Sequence, residues 1–163
     1  MKEQHYKVTY KVFDGLKELD KEDQLLIEKA ISARKSAYAP YSNFKVGAAA
    51  LLGNGEIVIG SNQENASFPS GLCAERVAVF QAGARFPGVP IISLAISAGS
   101  DEEPSNEPAA PCGNCRQSIY EYEHKQGKPI RIILQGSLGP VYIINALSDL
   151  LPLGFNSSQL NSQ

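Results

Sequence analysis

Three cysteines, Cys73, Cys112 and Cys115, are the only thiols in the chain, and each has chemically capable neighbours. Cys112 and Cys115 stand in "PCGNCRQ" (111–117), the C-x-x-C spacing that lets two thiolates at a turn or helix start reach one metal ion. Cys73 stands in "LCAERVAVF" (72–80), at the head of a different segment. If the two segment starts meet, three thiolates converge. Zn²⁺ prefers four ligands, so three from the protein leave one position for water, the arrangement of a catalytic site. Helix N-termini favour thiolate. Glu75 follows Cys73 by two residues and projects near such a metal without being a ligand. A carboxylate beside a zinc-held water is what a general acid/base requires. Three thiolates leave the centre net negative, so Arg76 and Arg116 are expected to hydrogen-bond thiolate and return positive charge.

Other readings of these residues remain open. A lone C-x-x-C can be a redox pair, although no other thioredoxin-like signal accompanies it. A fully structural zinc site needs a fourth ligand, and only His5 and His124 are on offer. Both read better as surface residues. Arg76 and Arg116 taken alone read as solvated helix charges.

The elements that must bring these residues together follow from pattern. Residues 21–38 carry Leu25, Leu26, Ile27, Ala30, Ile31 and Ala33 at helical spacing, with Asp20 as N-cap and Pro40 beyond the end. "FKVGAAALL" and "EIVIGSN" flank Asn54-Gly55, a two-residue hairpin signal. Residues 72–85 read as a helix broken by "ARFPGVP". "IISLAISAG" is a buried central strand, and "SDEEPSNEPAA" is a polar loop. Residues 112–127 read as a helix whose first turn holds two cysteines and which Gly127 closes. "IRIIL" and "PVYII" are further strands, and "NALSDLL" is a short last helix. The first dozen residues and the tail "NSSQLNSQ" are expected to be poorly ordered. Strands separated by helices make a layered α/β sheet, and no internal repeat is visible.

The whole chain narrows the function classes. At 163 residues it suits one domain. With 43% hydrophobic and 20% charged residues it reads as an ordinary soluble protein. A formal net charge of −2 argues against a nucleic-acid partner. No apolar run is long enough to span a bilayer, and the first residues lack a signal-peptide core. The expected location is the cytoplasm, with no membrane partner. Disulfides are rare there, which favours metal binding or catalysis for an odd cysteine count.

C-A-E-R followed by P-C-G-x-C-R-Q resembles the zinc-dependent nucleoside deaminases, most closely the small homotetrameric cytidine deaminases. "YAPYSNFKVGAAAL" and "NQENASFPSGLCAER" are similar to that family over long stretches. Cys73 stands where tRNA adenosine and deoxycytidylate deaminases usually carry His. The resemblance implies a three-layer α/β/α sandwich with a mixed sheet of about five strands. It implies an N-terminal extension (1–19), a catalytic domain (20–155) and a flexible tail (156–163). It further implies one Zn²⁺ per chain on Cys73, Cys112 and Cys115, with Glu75 as the proton shuttle while water attacks C4 of cytosine. Cytidine and deoxycytidine would become uridine and deoxyuridine plus ammonia, in pyrimidine salvage. Asn62 and Glu64 would hold the ribose 3′-hydroxyl, Phe44 would pack on the pyrimidine, and the Ala74 N–H would bind the base carbonyl. Arg76 and Gln117 would support the ligands from behind. Phe155 would enter a neighbouring subunit's site in a homotetramer with shared active sites. Phe68 departs from the tyrosine many members carry. Blasticidin-type deaminases share the same pattern and are the nearest alternative; a non-catalytic zinc-stabilised nucleoside-binding module is the alternative from another class.

Overall fold

Phe44–Leu52 (β2) and Ile57–Ser61 (β3) form an antiparallel hairpin. The turn is longer than the two residues expected. Leu52 N–H bonds Glu56 O at 2.9 Å, and Gly55 N–H bonds Leu52 O at 2.9 Å. Gly53–Gly55 is therefore a three-residue loop, closed by Gly55 at φ 85°, where a glycine is favoured. The computed structural model describes residues 1–100, 102 and 104–160. Parts of the expected polar loop and the last three residues of the expected tail lie outside them.

Lys21–Arg34 (α1) precedes the hairpin, and Ala74–Arg85 (α2) follows it. Then come Ile91–Ser100 (β4), Gly113–Gln126 (α3), Arg131–Gln135 (β5) and Val141–Ile144 (β6). Asp20 caps α1 by accepting from Asp23 N–H at 2.8 Å. The helix ends at Arg34, short of the expected position, because Tyr38 is drawn into backbone pairing with residues 62–64. A short 3₁₀ turn, Leu147–Leu150, replaces the expected last helix.

The ends are more ordered than their composition suggests. Tyr10–Phe13 (β1) pairs antiparallel with β6 and supplies a sixth strand. Phe13 packs against the core under α1, and the Tyr10 ring lies 5.2 Å from that of Tyr142. The alternation Tyr6, Val8, Tyr10, Val12 was the signal for it. At the other end, Asn156 forms a capping box over the 3₁₀ turn Ser157–Gln159.

The sheet order is β1-β6-β5-β4-β2-β3, with β4–β5 parallel and the other pairs antiparallel. Alternating residues serve opposite cores. Ala48, Ala50 and Leu52 face α2 and α3, whereas Ala49, Ala95 and Ile133 face α1. This is a three-layer α/β/α sandwich with one strand more than expected. Two glycines let the helices touch the sheet. A Cβ at Gly47 would meet Ala30 O at 2.1 Å under α1, and one at Gly60 would meet Ala74 O at 2.6 Å at the start of α2. Among the described residues no helix is long and apolar enough to cross a membrane.

Candidate metal centre and pocket

Gly60 allows the first turn of α2 to lie directly on β3, and that turn carries Cys73, Ala74 and Glu75. Cys73 is the N-cap of α2, and Cys112 is the N-cap of α3. Neither thiol caps its own helix, so both are left for another partner. Cys115 lies in the first turn of α3 and is buried. The three Sγ atoms lie within 4.8 Å of one another. Sulfurs about 2.3 Å from one tetrahedral zinc sit roughly 3.8 Å apart. The donor set and its spacing therefore fit a single Zn²⁺.

The thiols are electrostatically unequal. The Cys115 thiol hydrogen-bonds Cys73 and, with help from Arg76, lowers the Cys73 pKa to about 5 against the cost of burial. The same bond, together with burial, pushes the Cys115 pKa up. Glu75 is buried, and burial is the main cause of its raised pKa. Negative charge on Cys73 adds to the rise; its own N–H, the Cys115 thiol and Arg76 offset it in part. A carboxyl held above its ordinary range is suited to carrying a proton near neutral pH.

A cavity of about 660 Å³ opens onto this centre. Cys73, Cys112, Glu75 and Arg76 line its floor; Phe44, Asn62, Glu64, Tyr41 and Phe68 line its walls and mouth. Asn62 is buried and braces β2, accepting from Val46 N–H at 2.8 Å and donating to Phe44 O at 2.9 Å. Glu64 accepts from the Ser42 hydroxyl, from Tyr41 N–H at 2.9 Å and from Ser42 N–H at 3.3 Å. These bonds, the Ser42 hydroxyl first, lower its pKa. The Phe44 ring is partly exposed, and Phe68 stands edge-on to Tyr41 at 6.1 Å. Ala74 is fully buried at the first position of α2, where a backbone N–H has no acceptor within the helix.

Two expected residues are placed otherwise. Arg116 does not reach a thiolate: it donates to Pro111 O at 2.8 Å and Leu150 O at 2.9 Å. One step along a helix turns a side chain by about 100°, which takes it off the metal face. Gln117 donates to Phe155 O at 2.8 Å. Phe155 is half-exposed and does not line its own chain's cavity. The sequence reading also missed Ile96, Ala98, Ala109 and Ala110, which line the cavity from β4 and the loop before Pro111. Small apolar residues carry no chemical signal, and only the fold reveals them.

The chain matches the family described as "Cytidine and deoxycytidylate deaminase zinc-binding region" over residues 20–127. It is 38% identical over 141 residues to the cytidine deaminase of Halalkalibacterium halodurans, covering 85% of this chain and 97% of that protein. It is 35% identical over 136 residues to the cytidine deaminase of Mycobacterium tuberculosis, covering 83% and 91%. Among solved structures, cytidine deaminase from Burkholderia pseudomallei aligns with TM-score 0.71 and 40% identity, covering 80% of this chain and 97% of that one. The Mycobacterium tuberculosis structure aligns with TM-score 0.63 and 33% identity, covering 85% and 98%.

Proposed function

The chain belongs to the cytidine and deoxycytidylate deaminase zinc-binding family, and from that premise we propose that it hydrolyses cytidine and deoxycytidine to uridine and deoxyuridine, releasing ammonia, in pyrimidine salvage. The observation that carries the proposal is the convergence of three thiols beside one buried carboxyl, with Cys73, Cys112 and Glu75 lining a single cavity and Cys115 buried behind it.

Cys73, Cys112 and Cys115 would hold Zn²⁺, which supplies the Lewis acidity that makes water nucleophilic near neutral pH. Glu75 takes a proton from the attacking water, delivers it to ring N3 and then assists departure of the amino group as ammonia. Its raised pKa allows it to hold the proton between those steps. Phe44 packs on the pyrimidine, and the Ala74 N–H receives the base carbonyl. Glu64 has one lone pair, on Oε1, left beyond its present bonds for the ribose 3′-hydroxyl, and Asn62 keeps one amide hydrogen and one lone pair. The Glu75 carboxyl gives a reason to prefer catalysis over a non-catalytic zinc module, which has no use for a charged group buried there.

The active form is a homotetramer in the cytoplasm, with Phe155 closing a neighbour's cavity. The exposed ring on a backbone held by Gln117 supports this reading. Mixing Glu75→Gln chains with Phe155→Ala chains should restore turnover per intact Glu75 if Phe155 acts in trans, and only the diluted sum of the parents if it acts in cis. The activity itself is tested by absorbance change on cytidine, with cytosine, CMP and blasticidin alongside. Cytidine should be turned over far better than free cytosine, since ribose contacts orient the ring. CMP should be poor beside an ionised Glu64. Preference for blasticidin, or equal rates on cytosine, cytidine and CMP, would contradict the proposal.

A further inference from the structure

The C-x-x-C turn is a weak support for two metal ligands. It contains Gly113, which is exposed and whose α-carbon faces open space. A glycine in a chelate loop adds conformational freedom that metal binding must remove. Cys112 gives α3 no side-chain cap. Something else must fix the turn.

Arg116 is placed to do so. Its backbone N–H makes an early helical bond to Cys112 O at 2.9 Å. Its side chain then reaches back across the turn, with Nε donating to Pro111 O at 2.8 Å. One guanidinium hydrogen bond thus closes the turn from outside, spanning both cysteines. The second arm, Nη1, donates to Leu150 O at 2.9 Å. Leu150 ends the 3₁₀ turn whose start is held by Glu123, which accepts from Leu147 N–H at 2.8 Å and Ser148 N–H at 2.9 Å. Gln117 adds a neighbouring tie to Phe155 O. The metal turn is therefore moored, through one side chain, to the C-terminal segment.

We propose that Arg116 is a positioning residue for the metal site, holding the Cys112–Cys115 turn in ligating geometry by joining the Pro111 and Leu150 carbonyls. The inference rests on the reading of Cys73, Cys112 and Cys115 as zinc ligands. It makes the C-terminal segment part of the metal site's support.

The test compares the unmodified chain with Arg116→Gln, Arg116→Lys and Arg131→Gln. The last breaks the Arg131–Asp23 ion pair (2.7 Å), which joins β5 to α1, and so reports general destabilisation. The rate of zinc transfer to an excess of chelator, the spectrum of the Co²⁺-substituted protein and the melting temperature are measured on each. Arg116→Gln should speed zinc release roughly tenfold to a hundredfold, as loss of outer ligand support does, and should shift the Co²⁺ bands. Arg116→Lys keeps the charge but cannot join two carbonyls as a planar fork does, so its release should also be faster than that of Arg131→Gln. If Arg116→Gln does not fold, Arg116→Lys decides by the same criteria. Release no faster than in Arg131→Gln, with unshifted Co²⁺ bands, would overturn the proposal. Failure of the unmodified chain to bind either metal would overturn the zinc site, and this inference with it.

Discussion

Two glutamates of this chain are almost equally buried, Glu75 at 5% exposure and Glu123 at 7%, yet the fold treats them in opposite ways. Glu123, near the end of α3, accepts three backbone N–H groups: Ile130 and Leu147 at 2.8 Å and Ser148 at 2.9 Å. Its charge is spent on holding the start of β5 and the 3₁₀ turn in place. Glu75, at the start of α2, has burial as the main influence on its proton and only partial compensation from neighbours. Burial alone therefore does not mark a functional carboxyl. What distinguishes Glu75 is its place beside a cavity and three thiols, where burial raises its pKa.

That contrast can be broken at either end. The largest effect is expected from the metal side: Cys73→Ala, Cys112→Ala or Cys115→Ala should reduce zinc content and bring turnover to background, measured by metal analysis and cytidine absorbance on the same samples. Full zinc content in all three would separate Glu75 from any metal and remove its proposed role.

Glu123→Ala comes next. Three N–H groups would lose a charged acceptor, at a cost of roughly 3–5 kcal/mol. The melting temperature should fall by about 6–20 °C, while turnover per folded, zinc-loaded chain stays near normal. A Glu123→Ala protein of unchanged stability would erase the distinction.

A smaller and more local effect separates the two faces of the sheet. Gly47→Ala and Gly60→Ala each force a helix away from β2 or β3, and overpacking of this kind costs about 1–3 kcal/mol. Only Gly60 lies under the turn that bears Cys73 and Glu75. Gly60→Ala should lower turnover as well as stability, and Gly47→Ala stability alone, when melting curves and steady-state rates are compared.

The sequence made the chemistry legible sooner than its scaffolding. Cysteine spacing and Glu75 two residues after Cys73 are local facts, and local facts survive folding. The layered sheet followed from strand and helix periods. The role of Glu123 was invisible because its partners come from residues 130, 147 and 148, which only tertiary structure brings to one carboxylate. Arg116 was misread because adjacency in sequence is not adjacency on a helix surface. β1 was passed over because four residues at an edge, most of them exposed, look like a loose terminus until β6 is there to pair with them. Phe155 was assigned to a neighbour because of its place after the last expected element, and its ring is exposed to solvent on its own chain.

The central claim is tested most directly by measuring zinc content, melting temperature and cytidine turnover together on Glu75→Gln. The folded pKa of Glu75 lies above its ordinary value near 4.5. Stability linked to its protonated form is thus full below about 4.5 and is lost as pH rises through the raised value. A neutral glutamine escapes that loss, so with zinc stripped from both proteins the variant should melt no lower than the unmodified chain near pH 7. Supplied with zinc, it should hold one zinc per chain, and its turnover should fall by roughly 10²–10⁴ or more. Near-normal turnover with zinc in place, or loss of zinc together with activity, would contradict the account.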